Sequence, residues 1–196
     1  MADSEFNALI ELLAMLVTDP RTGVLIVLLV VAAVTDCRTF RIPNWLTGGG
    51  LLFGLAWTTL VPPLPGGSWT WPVAGMLVGF LALLPLYVIR AVGAGDVKLM
   101  AMTGAFLGWH DTLFAMLFSL VAAGVAAMVF ATVRGVVPRM LENTRQVLFN
   151  LTVSAIGGHR PAVHIEPGKS IGKLAYGAST AVGTIGYMVA SQIGFF

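Results

Sequence analysis

Apolar residues gather into six long runs, near residues 22–36, 45–61, 72–91, 97–110, 112–133 and 173–195, divided by shorter polar connections. A helix that crosses a membrane needs about 20 mostly apolar residues, with latitude for tilt and interfacial ends. The pattern predicts an all-α integral membrane protein of about six transmembrane helices, the first and fourth of them short. A further run, Phe6–Val17, is shorter still and contains Glu11. It predicts an additional short N-terminal helix, interfacial or partly inserted. The chain divides accordingly into a segment 1–21 and a membrane-embedded domain 22–196, which includes a polar loop at about 135–172. The first half of that loop, Val136–Ile156, mixes apolar and charged positions as an amphipathic surface helix does.

The composition agrees with the pattern. Of the 196 residues 57% are hydrophobic and 10% charged, where a soluble domain carries about a quarter charged. The net charge of +2 and the absence of a basic stripe with interleaved aromatics give no footprint for nucleic acid. One cysteine, Cys37, excludes an internal disulfide framework and a cysteine-based zinc site. Residues 1–20 carry Asp3, Glu5, Glu11 and Asp19 but no Lys or Arg, the reverse of the positive start of a cleavable signal peptide.

Charge also sets the orientation. Loops 37–44, 91–96 and 134–172, with their flanks, hold ten of the eleven Lys and Arg residues; Arg21 is the exception. Six alternating spans bring these three loops to one side, which the positive-inside rule makes cytoplasmic. Trp45, Trp57, Trp69, Trp71 and Trp109 fall at or near the ends of the predicted helices, where interfacial aromatics belong.

Against this background two carboxylates stand out. Asp36 closes the first apolar run, and Asp96 follows the third run after a short turn, both on the cytoplasmic side. A carboxylate in hydrocarbon costs about 2.5–3.5 kcal/mol at a helix centre on insertion scales, so such residues are functional hypotheses by default. In Ile42-Pro43-Asn44 the proline holds the chain extended after the first helix. Gly93 and Gly95 permit close backbone approach, and Asp96 is predicted to take the N-cap of the next helix. The helix dipole offers partial negative charge to Asp36 and partial positive charge to Asp96. Two such carboxylates sharing one proton supply an acid to polarise a carbonyl and a base to activate water. The acid role falls to Asp36 and the base role to Asp96, in a dyad that titrates as a unit.

These residues resemble the type IV prepilin peptidases, membrane aspartic proteases of the GxGD type. Asp36 with Ile42-Pro43-Asn44 is similar to the family's first catalytic segment, and Gly93-Ala94-Gly95-Asp96-Val97-Lys98 to its second. Tyr176-Gly177 is similar to a later tyrosine–glycine pair, with Ala175 where a proline is usual; no catalytic role is carried onto it. The resemblance implies removal of an N-terminal leader from pilin precursors at the cytoplasmic face of the bacterial inner membrane. Its substrate would be a prepilin with a basic leader and a hydrophobic helix, with membrane lipid and pilus or secretion machinery as further partners. It implies Asp36 and Asp96 as catalytic residues, supported by Ile42, Pro43, Asn44, Gly93, Gly95 and Lys98, with no cofactor and no metal. Larger members add a cysteine-bearing cytoplasmic domain and methylate the new N-terminus. With one cysteine, this chain looks like the short, peptidase-only CpaA/TadV-like form of Flp-type pilus systems.

Plainer readings accompany each residue. Asp96 is good helix-start chemistry on its own. Lys98 and Arg90 suit headgroup snorkelling, and Asn44 either orients its segment or caps the next helix. His159 and His164 lack a helical i,i+4 partner and read as loop residues rather than metal ligands. Cys37 has no evident His partner and reads as passive. A small ion- or proton-coupled transporter would also carry intramembrane aspartates, but its repeats are not visible and both aspartates lie at one face. An inactive secretion scaffold would tolerate loss of both.

Overall fold

The computed structural model describes residues 19–61, 70–89, 91–135 and 175–193, with residues 137, 138, 142, 145, 146 and 149 between them. The predicted N-terminal helix within 1–18, Trp69, Arg90 and the loop from 150 to 174 with His159 and His164 lie outside the described residues. Of the predicted amphipathic helix, the positions described are helical, and all but Val137 are exposed.

Six helices make up the described architecture: α1 (Pro20–Thr39), α2 (Asn44–Leu60), α3 (Thr70–Val88), α4 (Ala94–Leu107), α5 (Trp109–Val133) and α6 (Tyr176–Gln192). Among the described residues there is no strand. Three helices, α1, α3 and α5, are long and apolar enough to cross a membrane. Their outer faces carry exposed Val27, Val30 and Val34 on α1, Leu77 and Leu81 on α3, and Leu117, Val121 and Val125 on α5. Apolar surface of this extent is what a lipid-facing belt requires and what a water-facing surface avoids.

The helices form where caps and stripes dictate. Asp19 caps α1, its carboxylate accepting from the Arg21 N–H at 3.2 Å and the Thr22 hydroxyl at 2.8 Å, with Pro20 opening the first turn. On α1 the buried positions are Leu25, Leu29, Ala32 and Asp36, one continuous face at helical spacing. The stripe that buries the leucines is therefore what turns Asp36 inward. The helix runs one turn past Asp36 and stops at Phe40, whose left-handed backbone (φ 50°) ends the ladder. On α2 the buried line is Leu46, Gly50, Gly54 and Thr58.

At the centre lies α4. Val97 and every position from Leu99 to Leu107 are buried, so this helix is enclosed on all sides. At 14 residues it rises about 21 Å, less than the roughly 30 Å hydrocarbon core. Glycine sets how near its neighbours come. A Cβ on Gly75 would run into the Gly104 carbonyl, and one on Gly104 into the Gly75 carbonyl; Gly79 meets Met100 in the same way. The spacings Gly75–Gly79 and Gly104–Gly108 thus form one antiparallel contact between α3 and α4. Opposite them, the Phe106 ring fills the space that a Cβ at Gly54 would need, and the Thr58 hydroxyl donates to the Ala105 carbonyl at 3.2 Å. Gly108 (φ 82°) turns the chain from α4 into α5 beneath the Trp71 ring. Between α5 and α6, Gly183 lies on the Ser119 backbone and Phe114 stacks on Tyr187 with ring centroids 5.9 Å apart.

Boundaries depart from the sequence reading in two places that matter. The fourth helix was expected at 97–110 but occupies Ala94–Leu107, because Gly93 is extended and the Asp96 N–H already bonds its carbonyl at 3.1 Å. Asp96 is consequently the third helical residue, not the N-cap. Asn44 caps nothing either: Pro43 holds the N-cap position of α2 and Asn44 begins the helix.

Candidate active site

The polar end of this bundle is built from the end of α1, the extended link to α2, and the first turns of α4 and α6. Asp36 and Asp96 are both buried there, with 6% and 8% of their surface exposed. Each meets a helix start. The Asp36 Oδ2 accepts the Gly177 N–H at 2.7 Å, and the next amide, of Ala178, is also directed at this carboxylate. Gly177 and Ala178 belong to the first turn of α6, whose N–H groups have no partner within their own helix. Asp36 satisfies these donors from another element, and the dipole of α6 offsets the cost of its burial. The Asp96 Oδ2 reaches back to the Gly93 N–H at 3.0 Å, the acidic half of a capping box. Both carboxylates thus lie buried at the same end of the bundle.

Ile42 is the wedge that assembles these turns. A Cβ on Gly95 would sit 3.3 Å from the Ile42 Cβ, and one on Gly177 would sit 2.9 Å from its Cδ1. The first turns of α4 and α6 thus both close on one side chain, and a Cβ at either glycine would crowd it. The same added atom on Gly177 would lie 3.0 Å from the Asp36 Oδ2. Pro43 (φ −63°, ψ 137°) keeps the link extended so that Ile42 points into the bundle. Beyond it the exposed Lys98 Nζ donates to the Asn44 Oδ1 at 3.0 Å, tying the start of α2 to α4. The structure therefore brings together all eight residues singled out from the sequence: Asp36, Ile42, Pro43, Asn44, Gly93, Gly95, Asp96 and Lys98.

Three neighbours were given no role there, although Tyr176 was noted in its pair with Gly177. Beside Asp96 is a cavity of about 20 Å³ lined in part by Ser119, Tyr176 and Thr180, a volume that accommodates about one water. Tyr176 is half-buried and lines this cavity together with Asp96. The Ser119 hydroxyl donates to the Ala115 carbonyl at 2.7 Å and also faces the Thr180 carbonyl at 3.3 Å. Small hydroxyl residues inside apolar helices were the available signal, but such residues also serve helix packing. Elsewhere, Cys37 is exposed, and among the described residues no three of His, Cys, Asp and Glu gather into a ligand set.

The model of the type IV leader peptidase family matches residues 23–128, more than half of the chain, including both aspartates. The chain belongs to that family. It is 33% identical over 129 residues to a prepilin leader peptidase/N-methyltransferase of Myxococcus xanthus, covering 62% of this chain and 38% of that one. It is 40% identical over 98 residues to a protein of that description from Bacillus subtilis, covering 49% and 38%, respectively. A third, from Klebsiella pneumoniae, is 36% identical over 98 residues, covering 44% of this chain and 40% of that protein. The matches thus span about two fifths of these relatives' length. No solved structure matches the chain. Within the family match fall the carboxylates of α1 and α4, the Ile42 wedge and the Lys98–Asn44 tie; the α6 turn that meets Asp36 lies beyond it.

Proposed function

We propose that this protein is a membrane aspartic endopeptidase that removes the N-terminal leader from type IV prepilins of the Flp type, at the cytoplasmic face of the bacterial inner membrane. One observation carries the reading: two buried carboxylates from separate helices, each held by backbone N–H groups at one end of the bundle, with room for about one water beside Asp96. Such a pair shares one proton. The ionised member takes a proton from water as the oxygen attacks the scissile carbonyl, and the protonated member donates to the carbonyl oxygen. Collapse of the tetrahedral intermediate returns a proton to the leaving nitrogen and frees the two products. The cavity beside Asp96 favours that residue as base and leaves the acid role to Asp36, in a coupled pair.

The wider reading rests on charge and family. Arg38, Arg41 and Lys98 share the end of the bundle that holds the carboxylates, which supports a cytoplasmic site in a six-span domain. The printed names of the relatives support a prepilin substrate. They also include N-methyl transfer, which we do not extend to these residues, since they hold one cysteine where larger members carry a cysteine-bearing domain.

Co-expression with a prepilin of the same organism tests the proposal. Leader loss with the wild type, and leader retention with membrane-inserted Asp36→Asn and with Asp96→Asn, is expected. The mature pilin should have the mass of an unmethylated N-terminus. Cleavage by both variants would remove the dyad from the mechanism.

A further inference from the structure

On the side of α4 away from the small cavity lies a second and much larger space, a groove of about 480 Å³. Gly48 and Leu51 of α2 form one wall, and Met76, Leu77 and Phe80 of α3 form the other, with Ala101 of α4 as the floor. Asn44 and Lys98, joined by their hydrogen bond, stand at its end nearest the carboxylates. From this groove we infer that the enzyme docks the apolar helix of its substrate between α2 and α3, with an acidic side chain near the start of that helix paired to Lys98. The inference rests on the leader-peptidase reading above.

Three features select this occupant. The first is charge. Lys98 is exposed and, among the described residues, makes no ion pair. An ammonium at the mouth of an apolar groove is complementary to an apolar segment that carries a carboxylate at the corresponding height. The second is shape. Gly50, Gly54, Gly75, Gly79 and Gly104 are all consumed by contacts inside the bundle, where a Cβ would collide, whereas around Gly48 there is nothing within 4 Å. That opening allows another backbone to approach α2 closely, as small residues do at helix interfaces in membranes. A lipid tail has no need of it.

The third feature is continuity with the candidate site. Lys98 and Asn44 sit in the same two chain segments as Asp96 and Ile42, so a chain leaving the groove meets the first turn of α4 next. Gly93 is exposed and opens that turn without a side chain. An extended stretch therefore has a path past Gly93 toward the carboxylates, while the apolar helix stays in the groove. The arrangement separates recognition from chemistry: one face of α4 holds the helix and the other holds the water cavity.

A photo-crosslinking side chain at Phe80 tests the inference, in the uncleaving Asp96→Asn protein co-expressed with a prepilin whose helix bears an acidic residue near its start. Val27 on α1 and Val125 on α5, both on outer faces, serve as comparison positions, and Asp36→Asn offers a second uncleaving background. Adducts between Phe80 and the prepilin helix, several-fold above those from Val27 and Val125, are expected. In the otherwise wild-type enzyme, Lys98→Glu should raise KM about tenfold, Lys98→Gln should raise it less, and reversing the acidic residue to Lys should restore Lys98→Glu. Prepilin adducts at Val27 or Val125 instead, or only lipid adducts at Phe80, would overturn the docking site. Adducts at Phe80 without leader release by the wild type would leave the docking site standing and contradict the peptidase; cleavage without those adducts would do the reverse.

Discussion

At the residue scale, the site depends on backbone donors that no side-chain motif displays. Asp36 and Asp96 were legible because carboxylates are rare at the ends of apolar runs. Gly177 was noted only through the tyrosine–glycine resemblance and given no role, because its contribution is an N–H, delivered across 141 positions of sequence by the packing of α6 against α1. A hydrogen bond to a charged group is worth about 1.5–3 kcal/mol, so disturbing this one should be felt in the rate. Gly177→Ala keeps the N–H but sets a methyl 2.9 Å from the Ile42 Cδ1 and 3.0 Å from the Asp36 Oδ2. We expect kcat for leader release to fall about tenfold or more, with KM little changed. Adding Ile42→Ala should recover part of the loss, because the crowding is shared by the two side chains. Equal rates for Gly177→Ala and wild type would show that the Asp36–Gly177 contact has no part in turnover.

At the scale of elements, the helices follow from stripes of apolar and small residues, and the miss at α4 has a physical cause. Hydropathy rises only at Val97, after Gly-Ala-Gly-Asp, yet the helix begins at Ala94, where the Asp96 carboxylate accepts the Gly93 N–H. A capping interaction outweighed the polarity of the first turn. The four-residue spacings Gly75–Gly79 and Gly104–Gly108 permit close contact but do not name the partner, because spacing carries no information about which helix lies opposite; the structure pairs Gly75 with Gly104. Gly104→Val would force two backbones apart, which overpacking data put at about 1–3 kcal/mol or more. Thermal unfolding in detergent should show a clear drop in Tm. Gly124→Ala on α5, where nothing lies within 4 Å, should leave Tm unchanged or raise it, by about 0.4–1 kcal/mol of reduced chain entropy. A reversal of that order would mean that the α3–α4 contact is not a determinant of the fold.

At the scale of the whole molecule, the bundle gathers both carboxylates, the Ile42 wedge and the Lys98–Asn44 tie at one end, while Arg21 lies over Trp71 at the other, 5.8 Å from its ring centroid. That both aspartates share an end with Arg38, Arg41 and Lys98 was readable from the order of runs and loops; the backbone donors that hold Asp36 were not, because they need α1 and α6 to meet. Cys37 is exposed, neighbours Asp36 and is the single cysteine, which makes it a native reporter of orientation. In spheroplasts a membrane-permeant maleimide should label it and an impermeant one should not. Labelling by the impermeant reagent would place the carboxylates on the outer face. The most direct test of the central claim is the rate of leader release by purified protein in lipid nanodiscs, for wild type, Asp36→Asn and Asp96→Asn of matched Tm. Cleavage by the wild type and a loss of at least about 10³-fold in each variant is the predicted result. Retained cleavage in either variant would contradict an enzyme that works through both aspartates.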